Sequence, residues 1–424
     1  MWKNILLPLL VLCSLKAQTN INGNVQGTWD IQGSPYQLTG NTMVSPTDTL
    51  IIQRGVQVDL GVTYDLLVQG VLIAEGALLT GSGSLRGDHG VLSLLDCRFP
   101  NLLGGIDITG GMVWIQGCQI DGSAESGISL SHIDSGYVRD SQVWNSGDYG
   151  IKVAGSDQVE ITGNLLEGNS TNDLNHPALF IDSCSPIHVS QNIIQDNHAQ
   201  GLGVWSLSAT AAPQITNNLI RRNFTGITVV NSPAHIQDNI IVANYQQGNF
   251  NSGAGIYIGY AESAGIIMGN YIGGNYYGVS IINEARPNLG DMVNDYPGDD
   301  GLNLFNRNSY DGNTWHIWNG TPNFIMAQNN HWLDIERSAV DTTLYDDEEG
   351  NGEVIYEPIY ADPLPAVSDL SQDGDINILD VVLLLEHILT TESVDPVLFY
   401  LCDTNMDYQV NVGDVVALIE ALLQ

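Results

Sequence analysis

An eleven-residue phrase returns five times along this chain: VEITGNLLEGN, IHVSQNIIQDN, PQITNNLIRRN, AHIQDNIIVAN and GIIMGNYIGGN. Its first asparagines, Asn164, Asn192, Asn218, Asn239 and Asn270, follow one another at intervals of 28, 26, 21 and 31 residues. A second asparagine stands five positions after each, at Asn169, Asn197, Asn223, Asn244 and Asn275. Repeats of this length mean stacked units rather than a closed globule. Within a unit the period is two, so the units are short strands joined by tight turns: Ile227 and Val229 point one way and Thr228 the other, and Ile256, Tyr257 and Ile258 repeat the alternation. One coil cannot bury its own apolar face, but a stack of coils makes a continuous core. The asparagines are then expected to stack at one turn, each amide bonded to its neighbour and to adjacent backbone. Cys97, Cys118 and Ser141 share that phase in earlier coils, so both cysteines read as ladder members, with a disulfide between them left open.

These repeats resemble the right-handed parallel β-helix family with pectate-lyase-like coils, over about residues 40 to 360. SPYQLTGNTMVSPTDTLIIQRGVQVDL is similar to that family's opening coils, and AQNNHW followed by EVIYEPIY to its closing one. The resemblance implies a mainly β solenoid and a polysaccharide partner, because members of the family cleave or epimerise acidic polysaccharides.

A second repeat lies near the C-terminus. Residues 369 to 380, DLSQDGDINILD, and residues 403 to 414, DTNMDYQVNVGD, place side-chain oxygens at the same five positions, and each runs into an apolar stretch, VVLLLEHIL or VVALIEALL. All-oxygen donors at alternating places in a twelve-residue loop suit a hard cation such as Ca²⁺, and the lack of thiol or imidazole donors argues against zinc. The pair resembles the type I dockerin, a small calcium-folded module with two loop-helix repeats. Carried over by position, the first loop's ligands are Asp369, Ser371, Asp373, Asn377 and Asp380, with Asp375 offering its carbonyl. In the second they are Asp403, Asn405, Asp407, Asn411 and Asp414, with the Gln409 carbonyl. Two calcium ions and a cohesin-like or other surface docking partner follow from the resemblance. Tyr408 departs from the pattern where a turn glycine is usual, and Ile378-Leu379 and Val412-Gly413 occupy the places that help choose a cohesin.

The layout expected is a signal peptide over 1–17, a β-helix over 18–360, a linker over 361–368 and a small α-helical calcium module over 369–424. The opening MWKNILLPLLVLCSLKAQ combines a lysine, a short apolar run and a small residue at the cleavage point, which predicts export. No later segment is apolar enough to span a bilayer. Twelve basic residues against 48 acidic ones, with no Lys or Arg beyond Arg337, exclude a phosphate-backbone partner. Four cysteines beyond the leader are too few for a disulfide framework.

Aligning the coils by their asparagines yields two sets of candidates. Asp134 and Asp157 both stand seven residues before the ladder, so the phase predicts neighbouring rungs roughly 4.8 Å apart. Retaining glycosidases hold their carboxylate pair at about that spacing; closing turns through their own backbone amides is the other reading. Four residues before the ladder stand Trp114, Tyr137, Glu160, His188, Gln214 and His235, an outward line of rings and polar tips suited to a glycan chain. Asp299 and Asp300 faintly resemble a hydrolase cluster, yet no basic sugar clamp follows. The expected function is a secreted protein whose β-helix binds or degrades extracellular or cell-surface glycan, as a hydrolase of O-glycosyl bonds or a lyase. The alternative is a non-catalytic surface or adhesion protein with the solenoid as a rigid scaffold.

Overall fold

A computed structural model describes residues 18–156, 158–184, 187–205, 212–246, 253–390 and 395–423. The expected signal peptide, residues 1–17, lies outside the described residues. From Thr19 to Ile355 the chain winds as a parallel β-helix in which each coil lays its strands in register on the coil before. Crossovers between parallel neighbours are right-handed in nearly every protein, which sets the hand of the coil.

The five-residue spacing of the paired asparagines has a simple origin. A residue in the left-handed conformation makes a corner, a buried asparagine follows it, a three-residue strand runs on, and a second corner repeats the arrangement. Before Asn164 and Asn169 the corner residues are Gly163 and Gly168, at φ +70° and +66°. Before Asn218 and Asn223 they are Asn217 and Arg222, at +55° and +53°. Glycine reaches this region without penalty and asparagine at small cost.

Each ladder amide does three things. Asn218 donates from Nδ2 to Asn239 Oδ1 at 2.9 Å and to the Val189 carbonyl at 3.0 Å. Its Oδ1 accepts from the Asn192 backbone N–H at 3.0 Å. The first ladder runs on through Asn303 to Asn330 and the second through Asn275 to Asn308, further than the five phrases reach. Towards the N-terminus Ser141 Oγ accepts the Cys118 N–H at 3.1 Å, so serine and cysteine do continue the stack. Cys97 and Cys118 are buried free thiols. Inside, one apolar cluster extends from Trp29 to Val354, built from the inward residues of the stacked strands.

The C-terminal module has three helices: α1 (Ile378–Thr390), α2 (Pro396–Cys402) and α3 (Val412–Leu422). Val381, Leu384, Cys402, Val415 and Leu418 form its small core. The module sits on the solenoid's flank rather than beyond its end. Leu219, Ile240, Tyr271 and Leu304, outward residues on four successive rungs, pack with Phe399, Tyr400 and Tyr408, and Leu364 of the connecting segment joins them. Tyr408 and Gly374 hold equivalent loop positions, both left-handed, at φ +63° and +88°. A tyrosine there stores about 1–2 kcal/mol of backbone strain, and its ring lies on Gly274, where a Cβ would overlap it. The residue that departs from the loop pattern is therefore one of those that seat the module.

Candidate functional site

The outward line before the ladder is in register as its phase requires. Trp114 pairs with Tyr137, Tyr137 with Glu160, Glu160 with His188, His188 with Gln214 and Gln214 with His235. Its polar tips largely satisfy one another. Arg139 lies 4.3 Å from the Tyr137 ring centroid and forms an ion pair with Glu160, while Gln214 Nε2 lies 3.3 Å from His235 Nδ1. Asp134 is exposed in the turn before the strand Ser135–Arg139, with its N–H bonded to the Gly111 carbonyl at 2.8 Å. Asp157 lies outside the described residues. Asp299 is buried, with Oδ2 taken by the amides of Asn288 and Asn294.

The second outer strip, on the strands that follow the second corner, holds a cluster that the phase analysis missed. Lys152 in Ile151–Ala154 pairs with Phe180 in Leu179–Asp182, and Asp182 pairs with Trp205 on the next rung. Tyr149 stacks on Phe180 at 5.1 Å and on His176 at 4.4 Å, Phe180 meets Trp205 edge-on at 4.9 Å, and Lys152 Nζ lies 5.3 Å from the Tyr149 ring centroid. His176 arrives on the loop 171–177, which lengthens its coil to 28 residues from the 23 of the coil before. Its Nδ1 stands 3.5 Å from Asp148 and its Nε2 3.8 Å from Asp173, and the buried Nδ1 has no hydrogen-bond partner among the described residues. Burial, then the charges of Asp148, Asp173 and Asp182, push the Tyr149 hydroxyl above the ordinary tyrosine range. Stacking rings, a cation and two groups able to hold or pass a proton meet on one face. One signal was available: Lys152 is the only lysine beyond residue 16.

The two C-terminal loops fold alike, bond for bond. Asp380 Oδ1 accepts the Ser371 N–H at 2.8 Å and Oδ2 the Asn377 N–H at 2.8 Å; Asp414 does the same for Asn405 at 3.2 Å and Asn411 at 2.8 Å. Asp369 accepts from Gly374 and Asp403 from Tyr408, at 3.1 and 3.0 Å. Asp373 and Asp407 accept the amides of Asp375 and Gln409 at 2.9 Å. Asp369, Asp380, Asp403 and Asp414 are buried. Burial pushes Asp403 up to about 6, against the Tyr408 amide and with the help of Asp414's charge; it also raises Asp414. For Asp380 the amides of Asn377 and Ser371 outweigh burial and hold the carboxyl below its usual range. Buried carboxylates of this kind suit a hard cation, which would remove the cost of keeping them charged. Among the described residues no three His, Cys, Asp or Glu side chains gather tightly enough to hold an ion by themselves. Ser371, Asn377, Asn405, Asn411 and the carbonyls of Asp375 and Gln409 would therefore have to contribute.

A family model described as "Right handed beta helix region" matches residues 72–212. No curated protein matches the chain significantly. Among solved structures, a mutant of the periplasmic alginate epimerase AlgG is 13% identical, covers 76% of this chain and 76% of its own, and has a TM-score of 0.47. The A-module of the Azotobacter vinelandii mannuronan C-5 epimerase AlgE4 is 13% identical, with 67% and 86% coverage and a TM-score of 0.41.

Proposed function

We propose that the chain handles an acidic polysaccharide outside the cell, with the solenoid holding the glycan and the C-terminal module, ordered by two Ca²⁺ ions, anchoring the solenoid to a cohesin-like or other surface partner. The observation that carries the glycan reading is Lys152. A chain with 48 acidic residues places its one lysine beyond the leader among Tyr149, His176, Phe180 and Trp205. Sugar faces stack on such rings, and an ammonium group attracts a sugar carboxylate. A tyrosine and a histidine in ring contact beside that cation are the group types that proton transfer at a carbon next to a carboxylate requires, so the reaction class this cluster fits is elimination or epimerisation. Glycoside hydrolysis would call instead on Asp134 and Asp157.

One finding favours the non-catalytic alternative for the other face. Glu160 and Gln214 are engaged by Arg139 and His235, which leaves Trp114, Tyr137 and His188 to meet a glycan with few uncommitted polar tips. A single comparison separates the readings. Purified protein is passed over acidic and neutral polysaccharide gels and assayed for new double bonds, new reducing ends and altered sugar configuration. Lys152→Gln should lose retention on the acidic gel. Trp114→Ala with Tyr137→Ala tests the first strip, and Asp134→Asn the hydrolase reading. Unchanged behaviour of Lys152→Gln would remove the cluster from the account.

A further inference from the structure

Where the second loop meets the solenoid, the two enclose a cleft of about 900 Å³. That is within the ~300–1,000 Å³ range of small-ligand sites and too small for a protein domain. One wall is aromatic. Tyr245 and Tyr276 stack at 5.1 Å with planes 20° apart, Tyr276 meets Tyr310 at 4.9 Å, and Tyr245 is 46% exposed. Beside it the corner row Arg222, Ala243, Gly274 and Arg307 carries two guanidinium groups. Arg222 is fixed on Asp196 by two bonds of 2.6 and 2.7 Å. Arg307 differs: its backbone N–H binds Asp334 at 2.8 Å, but its exposed side chain makes no hydrogen bond or ion pair among the described residues. Asp407 and Tyr408 of the second loop close the cleft.

We propose that this cleft is a second glycan site, separate from the strip around Lys152, that takes a short carboxylate-bearing saccharide. Sugar rings lie on the tyrosine wall, and the carboxylate meets the Arg307 guanidinium, whose planar fork matches it in two parallel bonds. The net charge of −36 does not forbid this, because charges more than about 8 Å away are largely screened at physiological salt. Asp407 and Asp196 disfavour ligands with dense negative charge, and an acidic peptide lacks flat ring faces for the tyrosines.

The test is a titration of the full chain with an oligogalacturonate trimer, followed by the NMR signals of labelled tyrosine and by calorimetry, in calcium-containing buffer. Binding should weaken at least tenfold in Arg307→Gln and in Tyr245→Ser. It should vanish for the trimer with its carboxyls reduced to alcohols, persist in Lys152→Gln, and be absent for an oligoglutamate peptide. Arg307 and Tyr245 are exposed, so both variants should fold, and an unchanged melting curve checks this. Equal affinity in Arg307→Gln, equal affinity for the reduced trimer, binding of the peptide, or no shift at millimolar trimer would each overturn the proposal. Loss of gel retention in Lys152→Gln with trimer binding intact separates the two sites.

Discussion

Asn218 is fully buried at the middle of the first ladder, and replacing it with alanine removes a defined set of bonds. The Asn192 backbone N–H loses its acceptor at 3.0 Å, and the carbonyls of Val189 and Thr216 each lose a donor, at 3.0 and 3.1 Å. Asn192 Nδ2 loses Asn218 Oδ1 but keeps the Ile161 carbonyl at 2.9 Å; Asn239 Oδ1 keeps the Asn218 N–H at 2.9 Å. One buried group is thus orphaned outright in a place water does not enter, and two carbonyls are left short. An unsatisfied buried group costs about 1–3 kcal/mol, so the sum is roughly 2–4 kcal/mol. At about 2 °C per kcal/mol, the low end for large domains, Tm should fall by roughly 4–8 °C. Serine offers an internal control. Ser141 already serves as a rung by accepting the Cys118 N–H at 3.1 Å, so Asn218→Ser should recover about half of the loss. Thermal melts by circular dichroism give the totals. Hydrogen exchange should show the weakening centred on the coils of Asn192 and Asn239, because a solenoid couples mainly to its neighbours. A Tm within 1 °C of the parent for Asn218→Ala, or serine as damaging as alanine, would refute the bond-by-bond reasoning.

Three further outcomes are expected. Chelation, or Asp380→Ala with Asp414→Ala in calcium, should unfold α1 and α3 while the solenoid keeps its exchange protection; equal protection of both helices with and without calcium would end the calcium reading. In chelator the module should gain stability on acidification. The folded Asp403 carboxyl titrates at about 6, above its unfolded value near 3.9, so its contribution is complete below about pH 4 and is lost as pH rises through 6. Exchange protection of α1 and α3 in chelator that does not rise between pH 7 and 5 would contradict this. Tyr408→Gly should relieve loop strain yet release the module from Gly274, so that protease cuts the segment 361–368 at least several-fold faster; an unchanged cutting rate would mean that the ring does not hold the two parts together.

The solenoid was legible because its corners recur at a fixed phase. Once asparagines mark the corners, register follows by counting, and Trp114, Tyr137, Glu160 and His188 fall on neighbouring rungs. Asn303 and Asn308 escaped because the long connection after Ile282 sets them 33 residues beyond Asn270 and Asn275, outside the range of 21 to 31, and Asn330, 27 residues after Asn303, was lost once that count had broken. His176 escaped for a related reason: it stands on an inserted loop, which has no phase to count from. The seating of the module left only a faint trace, apolar residues at the outward positions Leu219, Ile240, Tyr271 and Leu304, where solvent-facing residues are expected. Tyr408 read as a flaw in a cation loop because nothing local shows that its ring has Gly274 to rest on.

The flank attachment has a mechanical consequence. Phe399, Tyr400 and Tyr408 bear on four successive rungs, Leu219, Ile240, Tyr271 and Leu304, rather than on one terminal coil alone, and the last of the four lies one rung before the final strand of its strip, His331–Trp332. A pull delivered through the module would enter the stack as shear shared among those rungs. Traction on a terminal coil would instead peel the stack open one layer at a time. Mounted in this way, the solenoid is a boom braced along its side, and a partner that gripped the module would thereby set the attitude of the outer strips.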